Sequence, residues 1–307
     1  GEPLPRWQLA CFWRKDGKPV WRNPELLADE NKDYGLTREH ADSFIRDLAK
    51  RLGLKGSHIR AGYEDTLYFL LAEGSVPNNL DPMKTDLKDD LERKRLTKVL
   101  TGDLCVPVGY LLPLHWSYQR NAWSSSAWEF RRGEMFLAPG DSAMGLRLPL
   151  NLLPWVPFED RDHTHERSLY EALEPLADID SEVSRRYSTV SKDKAHANEM
   201  DVADGEEVAP VDPEFTPHTA LCVETRGGRM HVFLPPTNTL EHYLDIIASI
   251  EATASALKIP VVIEGYQPPH DLRLTRLPVT PDPGVIEVNI HPAASWDALV
   301  HNTTTLY

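Results

Sequence analysis

Cysteine is scarce in these 307 residues, and the three present, Cys11, Cys105 and Cys222, are odd in number and far apart. No CxxC spacing occurs. That argues against a disulfide framework or a structural zinc site and points to a reducing cytoplasm. Nor does any apolar run approach the ~20 residues of a membrane span, and there is no signal peptide, so no membrane partner is expected. Positive charge is also short: 33 Lys and Arg face 47 Asp and Glu, a net −14, with no basic stripe carrying interleaved aromatics. Without a basic face to meet phosphates, nucleic acid is not an expected partner. The chain opens on Gly1-Glu2-Pro3 without an initiator methionine and stops at Thr305-Leu306-Tyr307, so a piece of a longer polypeptide is expected.

What is present is globular in character, with 41% hydrophobic and 26% charged residues. The acidity is local. Residues 159–217 hold 17 Asp and Glu against 6 Lys and Arg, which accounts for −11 of the −14. This stretch is poor in large apolar residues and reads as an irregular insertion or linker, with a short polar helix around 181–187. It divides the chain into an N-terminal α+β region, 1–158, the acidic linker, 159–217, and a C-terminal α+β region, 218–307.

In the first region, Asp16-Gly17 lies between the aromatic runs 7–13 and 19–21, a hairpin signal. Thr37 caps a helix whose apolar positions Ala41, Phe44, Ile45, Leu48, Ala49 and Leu52 are spaced by three and four before Gly53. Residues 89–100 offer a second, more charged helix. Short strands are expected at 108–114, 123–131, 135–138 and 145–150, with a tight turn at Arg132-Gly133. In the last region, residues 220–224 and 230–234 flank Gly227-Gly228 as a second hairpin. Thr239 then caps a helix through Leu240, Tyr243, Leu244, Ile247, Ile250, Ala254 and Leu257. Strands at 261–264 and 285–291 follow. The order predicts an α+β fold, a mostly antiparallel sheet with helices packed on one face.

The chemistry concentrates at Val285-Ile286-Glu287-Val288-Asn289-Ile290-His291. Alternation puts Ile286, Val288 and Ile290 on one strand face and Val285, Glu287, Asn289 and His291 on the other. Same-face neighbours ~6.5–7 Å apart can share a hard cation directly or through water, which suits Mg²⁺ or Mn²⁺ holding nucleotide phosphates. The same pattern also describes an antiparallel strand with one solvated face. Pro281-Asp282-Pro283-Gly284 stiffens the entry to this strand. Glu264 ends the preceding strand and Glu224 the one before the Gly-Gly turn, so three acids at strand ends are candidates for one ion.

Other candidates are weaker. Pro139-Gly140-Asp141-Ser142-Ala143-Met144-Gly145 lacks the Gly-Lys-Ser/Thr of a phosphate loop and reads as a turn. His163-Thr164-His165 falls in the acidic stretch. Ser124-Ser125-Ser126 has no nucleophile elbow. Trp7, Trp13, Trp21, Trp116, Trp123 and Trp128 offer either packing or a stacking surface for a ligand.

Several segments together resemble a known family: Thr219-Ala220-Leu221-Cys222-Val223-Glu224, Val232-Phe233-Leu234-Pro235-Pro236, Ile263-Glu264-Gly265-Tyr266, and above all the run from Thr280 through Glu287-Val288-Asn289-Ile290-His291 to Trp296. These are similar to the amidoligase domain of unknown function that, in large bacterial proteins, follows a transglutaminase-like domain. Val106-Pro107-Val108-Gly109-Tyr110 and Gly145-Leu146-Arg147-Leu148-Pro149-Leu150 agree, so the likeness covers nearly all of the chain outside the linker. It implies a glutamine-synthetase-like C-terminal region and an ATP-dependent carboxylate–amine ligase acting through an acyl phosphate on a peptide or amino-acid-like substrate. It further implies Mg²⁺ or Mn²⁺ with ATP, metal ligands Glu287, Glu224 and Glu264, and Asn289 and His291 at the cofactor. The family's later Gly- and His-rich nucleotide motif has no counterpart before Tyr307, which implies that this piece alone is inactive. Two alternatives stay open: a non-catalytic substrate-recognition or scaffolding module of a transglutaminase-like protein, and an ATP-grasp ligase.

Overall fold

A computed structural model of the protein describes residues 9–65, 68, 106–131, 133–155, 173–197, 216–282 and 284–306. The expected helix at 89–100, the His163-Thr164-His165 motif, Trp7 and Cys105 lie outside them. The chain forms two units, Asn23–Pro269 and the paired ends Gly1–Arg22 with His270–Tyr307.

The larger unit is built on a six-stranded sheet. Its strands are β2 (Arg60–Tyr63), β3 (Gly109–Pro113), β6 (Met135–Phe136), β7 (Ala220–Arg226), β8 (Arg229–Leu234) and β9 (Val261–Gly265), in the order β6-β2-β3-β7-β8-β9. The β2–β3, β3–β7 and β7–β8 pairs are antiparallel, while β2–β6 and β8–β9 are parallel. A separate hairpin joins β4 (His115–Ser117) to β5 (Ala122–Ser124). The β7–β8 turn is the expected one. Gly227 and Gly228 both have positive φ, 55° and 69°, as a two-residue primed turn requires.

Helix α1 (Arg38–Arg51) follows Thr37 and buries Ala41, Phe44, Ile45, Leu48 and Ala49 completely, so the three-and-four spacing is its core face. Helix α3 (Leu240–Leu257) starts where the Thr239 hydroxyl accepts from the His242 N–H. It carries the chain from β8 to its parallel neighbour β9 and is buried along most of its length. Between these two docks α2 (Ile179–Ala197), longer than the short polar helix expected in the acidic stretch. Its few apolar anchors, Ile179 and Val183, are buried. Polar bonds do the rest. The Arg186 guanidinium bonds Asp245 at 2.8 Å and 3.2 Å, and the Tyr187 hydroxyl donates to Asp47 at 3.0 Å. Strands from both sides of the stretch 159–217 share one sheet.

The opposite sheet face carries a second core of Leu111, Trp128, Met135, Leu137, Met144, Leu153, Cys222 and Phe233. The strand expected at 145–150 is instead a pair of tight 3-10 turns, Met144–Leu146 and Leu150–Leu152. Gly145 lies so close to the Phe233 ring that a Cβ would fall 2.1 Å from it, and Pro149 has no N–H to give a ladder. The strands expected at 123–131 and 135–138 shrink to β5 and β6.

The smaller unit is a three-stranded antiparallel sheet, β1 (Leu9–Arg14), β10 (Leu274–Asp282) and β11 (Val285–Val288), in the order β1-β10-β11, with helix α4 (Trp296–Leu306). Here the hairpin expectation fails. Asp16-Gly17 does form a turn, with the Gly17 N–H on the Arg14 carbonyl at 3.2 Å, but residues 19–21 form no strand. Strand β1 instead pairs over six residues with β10, from Leu9↔Val279 to Arg14↔Leu274. Pro19 lacks the N–H a returning strand would donate, and β10 supplies a longer partner. The polar/apolar alternation at 285–291 does not become a buried face either: on the apolar side Ile286 is 71% exposed and Ile290 36%. Among the described residues no helix is long and apolar enough to cross a membrane.

Candidate functional site

The polar end of the second sheet face gathers Glu224, Arg226, His231 and Glu264. Strand alternation puts Cys222, Glu224 and Arg226 on one face of β7. The two-residue turn fixes His231 directly opposite Glu224, and Glu264 enters from β9 opposite Phe233. Two glycines make room for this arrangement. Gly62 and Gly109 face each other across β2–β3, and a Cβ on either would come within 3.0 Å of the Met144 side chain. With Met144 seated there, its backbone N–H donates to Glu224 Oε1 at 2.9 Å.

Arg226 ties the cluster together. Its Nε lies 3.4 Å from Glu224 Oε1, and its Nη2 bonds both His231 Nδ1, at 2.8 Å, and Glu264 Oε2. The two carboxylates differ in their surroundings. Burial raises the Glu224 pKa above the ordinary glutamate value, against the pull of the Met144 N–H and Arg226. Burial also pushes Glu264 upward, but His231 and Arg226 outweigh it and its pKa is lowered. The neighbouring Cys222 thiol is pushed well up by burial and is an unreactive core group. Three buried polar atoms of the cluster have no hydrogen-bond partner among the described residues: Arg226 Nε, His231 Nε2 and Glu264 Oε1. Buried polar groups are ordinarily satisfied, so His231 Nε2 and Glu264 Oε1 stand out as polar atoms open to a ligand or water, while Arg226 Nε keeps its ion-pair contact with Glu224.

Of the sequence candidates, Glu224 and Glu264 are brought together, linked through Arg226. Glu287, Asn289 and His291 belong to the smaller unit and are all exposed. Glu287 stands opposite Thr280 on β11, and the Asn289 N–H continues the ladder to the Pro278 carbonyl at 3.0 Å. Arg226 and His231 were not among the candidates. Their place was legible, since a Gly-Gly turn at 227–228 forces the register Glu224↔His231.

The cluster does not suit a metal ion as arranged. A guanidinium sits between the two carboxylates, and among the described residues no group of three His, Cys, Asp or Glu is placed to hold one.

Neither the curated proteins nor the solved structures compared with this chain give a match. The family model described as "Putative amidoligase enzyme (DUF2126)" matches residues 1–307, and the chain belongs to that family.

Proposed function

We propose that the chain serves a carboxylate–amine ligase, in which a carboxylate is activated as an acyl phosphate at the expense of ATP and then attacked by an amine. Membership of the amidoligase family supports the reaction class. The observation that carries the reading to this chain is the Arg226-centred cluster with its unpartnered Glu264 Oε1 and His231 Nε2. Arg226 is the group to hold an anionic substrate carboxylate, since guanidinium and carboxylate match in shape and charge. Glu264, ionised at neutral pH, accepts hydrogen bonds from the incoming ammonium and takes its proton through Oε1. His231 Nε2, which has no hydrogen-bond partner among the described residues, is the atom that donates to a developing oxyanion when it carries a proton.

In this proposal Glu287 binds Mg²⁺ or Mn²⁺, with Asn289 and His291 beside it at the nucleotide. The substrate is peptide- or amino-acid-like, the setting cytoplasmic, and a transglutaminase-like domain on the same polypeptide the natural partner. A second reading, a recognition module without catalysis, is favoured by one observation: the carboxylates of the cluster are already engaged by a protein cation.

The test is phosphate release by the full polypeptide with ATP, Mg²⁺ and mixed amino acids, alongside calorimetric titration of magnesium-ATP. The ligase reading expects release that needs both amine and carboxylate, falls at least ~100-fold in Arg226→Ala, and loses nucleotide binding in Glu287→Ala. Nucleotide binding unchanged in Glu287→Ala removes the metal assignment. Amino-acid binding without phosphate release supports the recognition module instead.

A further inference from the structure

A cavity of about 230 Å³ opens at the far end of the larger unit, where β3 and β8 end and α3 begins. Its walls are Trp116 and Tyr118 of the β4–β5 hairpin region, Trp123 of β5, His242 of α3, and Pro235 and Pro236 of the loop after β8. The rings are organised. Trp116 stacks on His242 with centroids 4.1 Å apart and planes at 27°, while Trp123 meets Trp116 edge-on at 5.2 Å and 88°. Trp116 and Tyr118 stay only half-buried.

From this geometry we infer that the cavity is a binding site for a flat, uncharged ring, supplied by an aromatic side chain in peptide linkage. Among the described residues that line it there is no Asp, Glu, Lys or Arg. A phosphate or free carboxylate would find no Lys or Arg among these residues, and an ammonium no carboxylate. What the walls do offer is π-surface, which meets rings in stacked and edge-on geometries. The volume is below the ~300 Å³ at which pockets for drug-sized ligands begin, so one ring system fills it. An aromatic residue within a peptide carries no charge of its own at the backbone, which agrees with the lack of Asp, Glu, Lys and Arg among the described lining residues.

The wall is also held in place from behind. Trp123 Nε1 donates to Asp245 Oδ2 at 2.5 Å, and Asp245 is gripped by Arg186 of α2. Trp123 therefore acts as a positioning residue, and Trp116 and Tyr118 are the rings that meet the ligand. The cavity is distinct from the Arg226 cluster and the inference does not depend on ligase activity, because the experiment reads binding alone.

Calorimetry and saturation-transfer NMR on the intact chain test it, with N-acetyl-tyrosinamide, N-acetyl-tryptophanamide, N-acetyl-leucinamide and adenosine as probes. The aromatic amides are expected to bind at least ~10-fold more tightly than the leucine amide. Binding is expected to weaken by a similar factor in Trp116→Ala. Tyr118→Ala is the second variant, should the first fail to fold, and far-ultraviolet circular dichroism decides which is used. Absence of binding by either aromatic amide overturns the proposal, as does binding unchanged in both variants. Adenosine bound in preference to the amides overturns the side-chain assignment in favour of a nucleobase.

Discussion

Gly109 stands directly opposite Glu224 across the β3–β7 ladder, and a methyl group on it would fall 2.7 Å from Glu224 Cβ and 2.6 Å from the Val223 carbonyl oxygen. The site depends on that missing side chain. Gly109→Ala is expected to destabilise the fold by about 1–3 kcal/mol, the usual cost of overpacking a filled interior. It should also displace Met144 from Glu224. Urea denaturation measures the first effect, and the carboxyl NMR shift of Glu224 reports the second. A variant as stable as the parent would show that the strands can spread.

The two cluster carboxylates are expected to respond to pH in opposite senses. Glu264 has a folded pKa below the ordinary 4.5, so its pairing contributes stability above that value and loses it as pH falls through the lowered one. Glu264→Gln is therefore expected to destabilise at neutral pH and to converge with the parent in acid. Glu224 has a folded pKa above 4.5, so its ionisation subtracts stability as pH rises from 4.5 through the raised value. Glu224→Gln, which keeps an oxygen for the Met144 N–H, should improve relative to the parent over that rise. Denaturation midpoints from about pH 3 to 7 distinguish the two slopes.

Arg186 is expected to be the main anchor of α2. It bonds Asp245 twice and the Arg51 carbonyl once, and Asp245 in turn holds Trp123. Arg186→Ala leaves a mostly buried carboxylate short of its cation, at a cost of about 1–3 kcal/mol. Limited proteolysis should then cut within 179–197 faster than in the parent. Equal cutting rates would mean that Ile179 and Val183 suffice.

Glu287→Ala is expected to leave stability within about 0.5 kcal/mol, since the side chain is exposed on β11. Any loss of nucleotide binding in that variant then reports on chemistry rather than on folding. Thermal denaturation of the purified variant measures its stability against the parent. A large drop in Tm would show that Glu287 has a structural partner.

Local rules carried the sequence reading a long way. The Thr37 and Thr239 caps, the apolar spacing of α1 and α3, and the Gly227-Gly228 hairpin are set by neighbours within a few residues, so they are legible one segment at a time. The same is true of Glu224 facing His231, because a two-residue turn leaves only one register. What the sequence could not decide was every contact made across long separations. Strand β1 passes over its nearby Asp-Gly turn to pair with β10, and α2 holds by side-chain bonds from Arg186 and Tyr187 that leave no apolar period to read. Gly145 sits in a tight turn because a ring from β8 occupies the space beside it. Likewise Arg226, two residues from a named candidate, becomes the centre of the cluster only when β9 delivers Glu264. Hydrogen bonds within a turn or helix are fixed by the backbone that makes them. Packing between distant segments is fixed by which surfaces remain to be covered once the whole chain has collapsed, and that is a property of the tertiary structure alone.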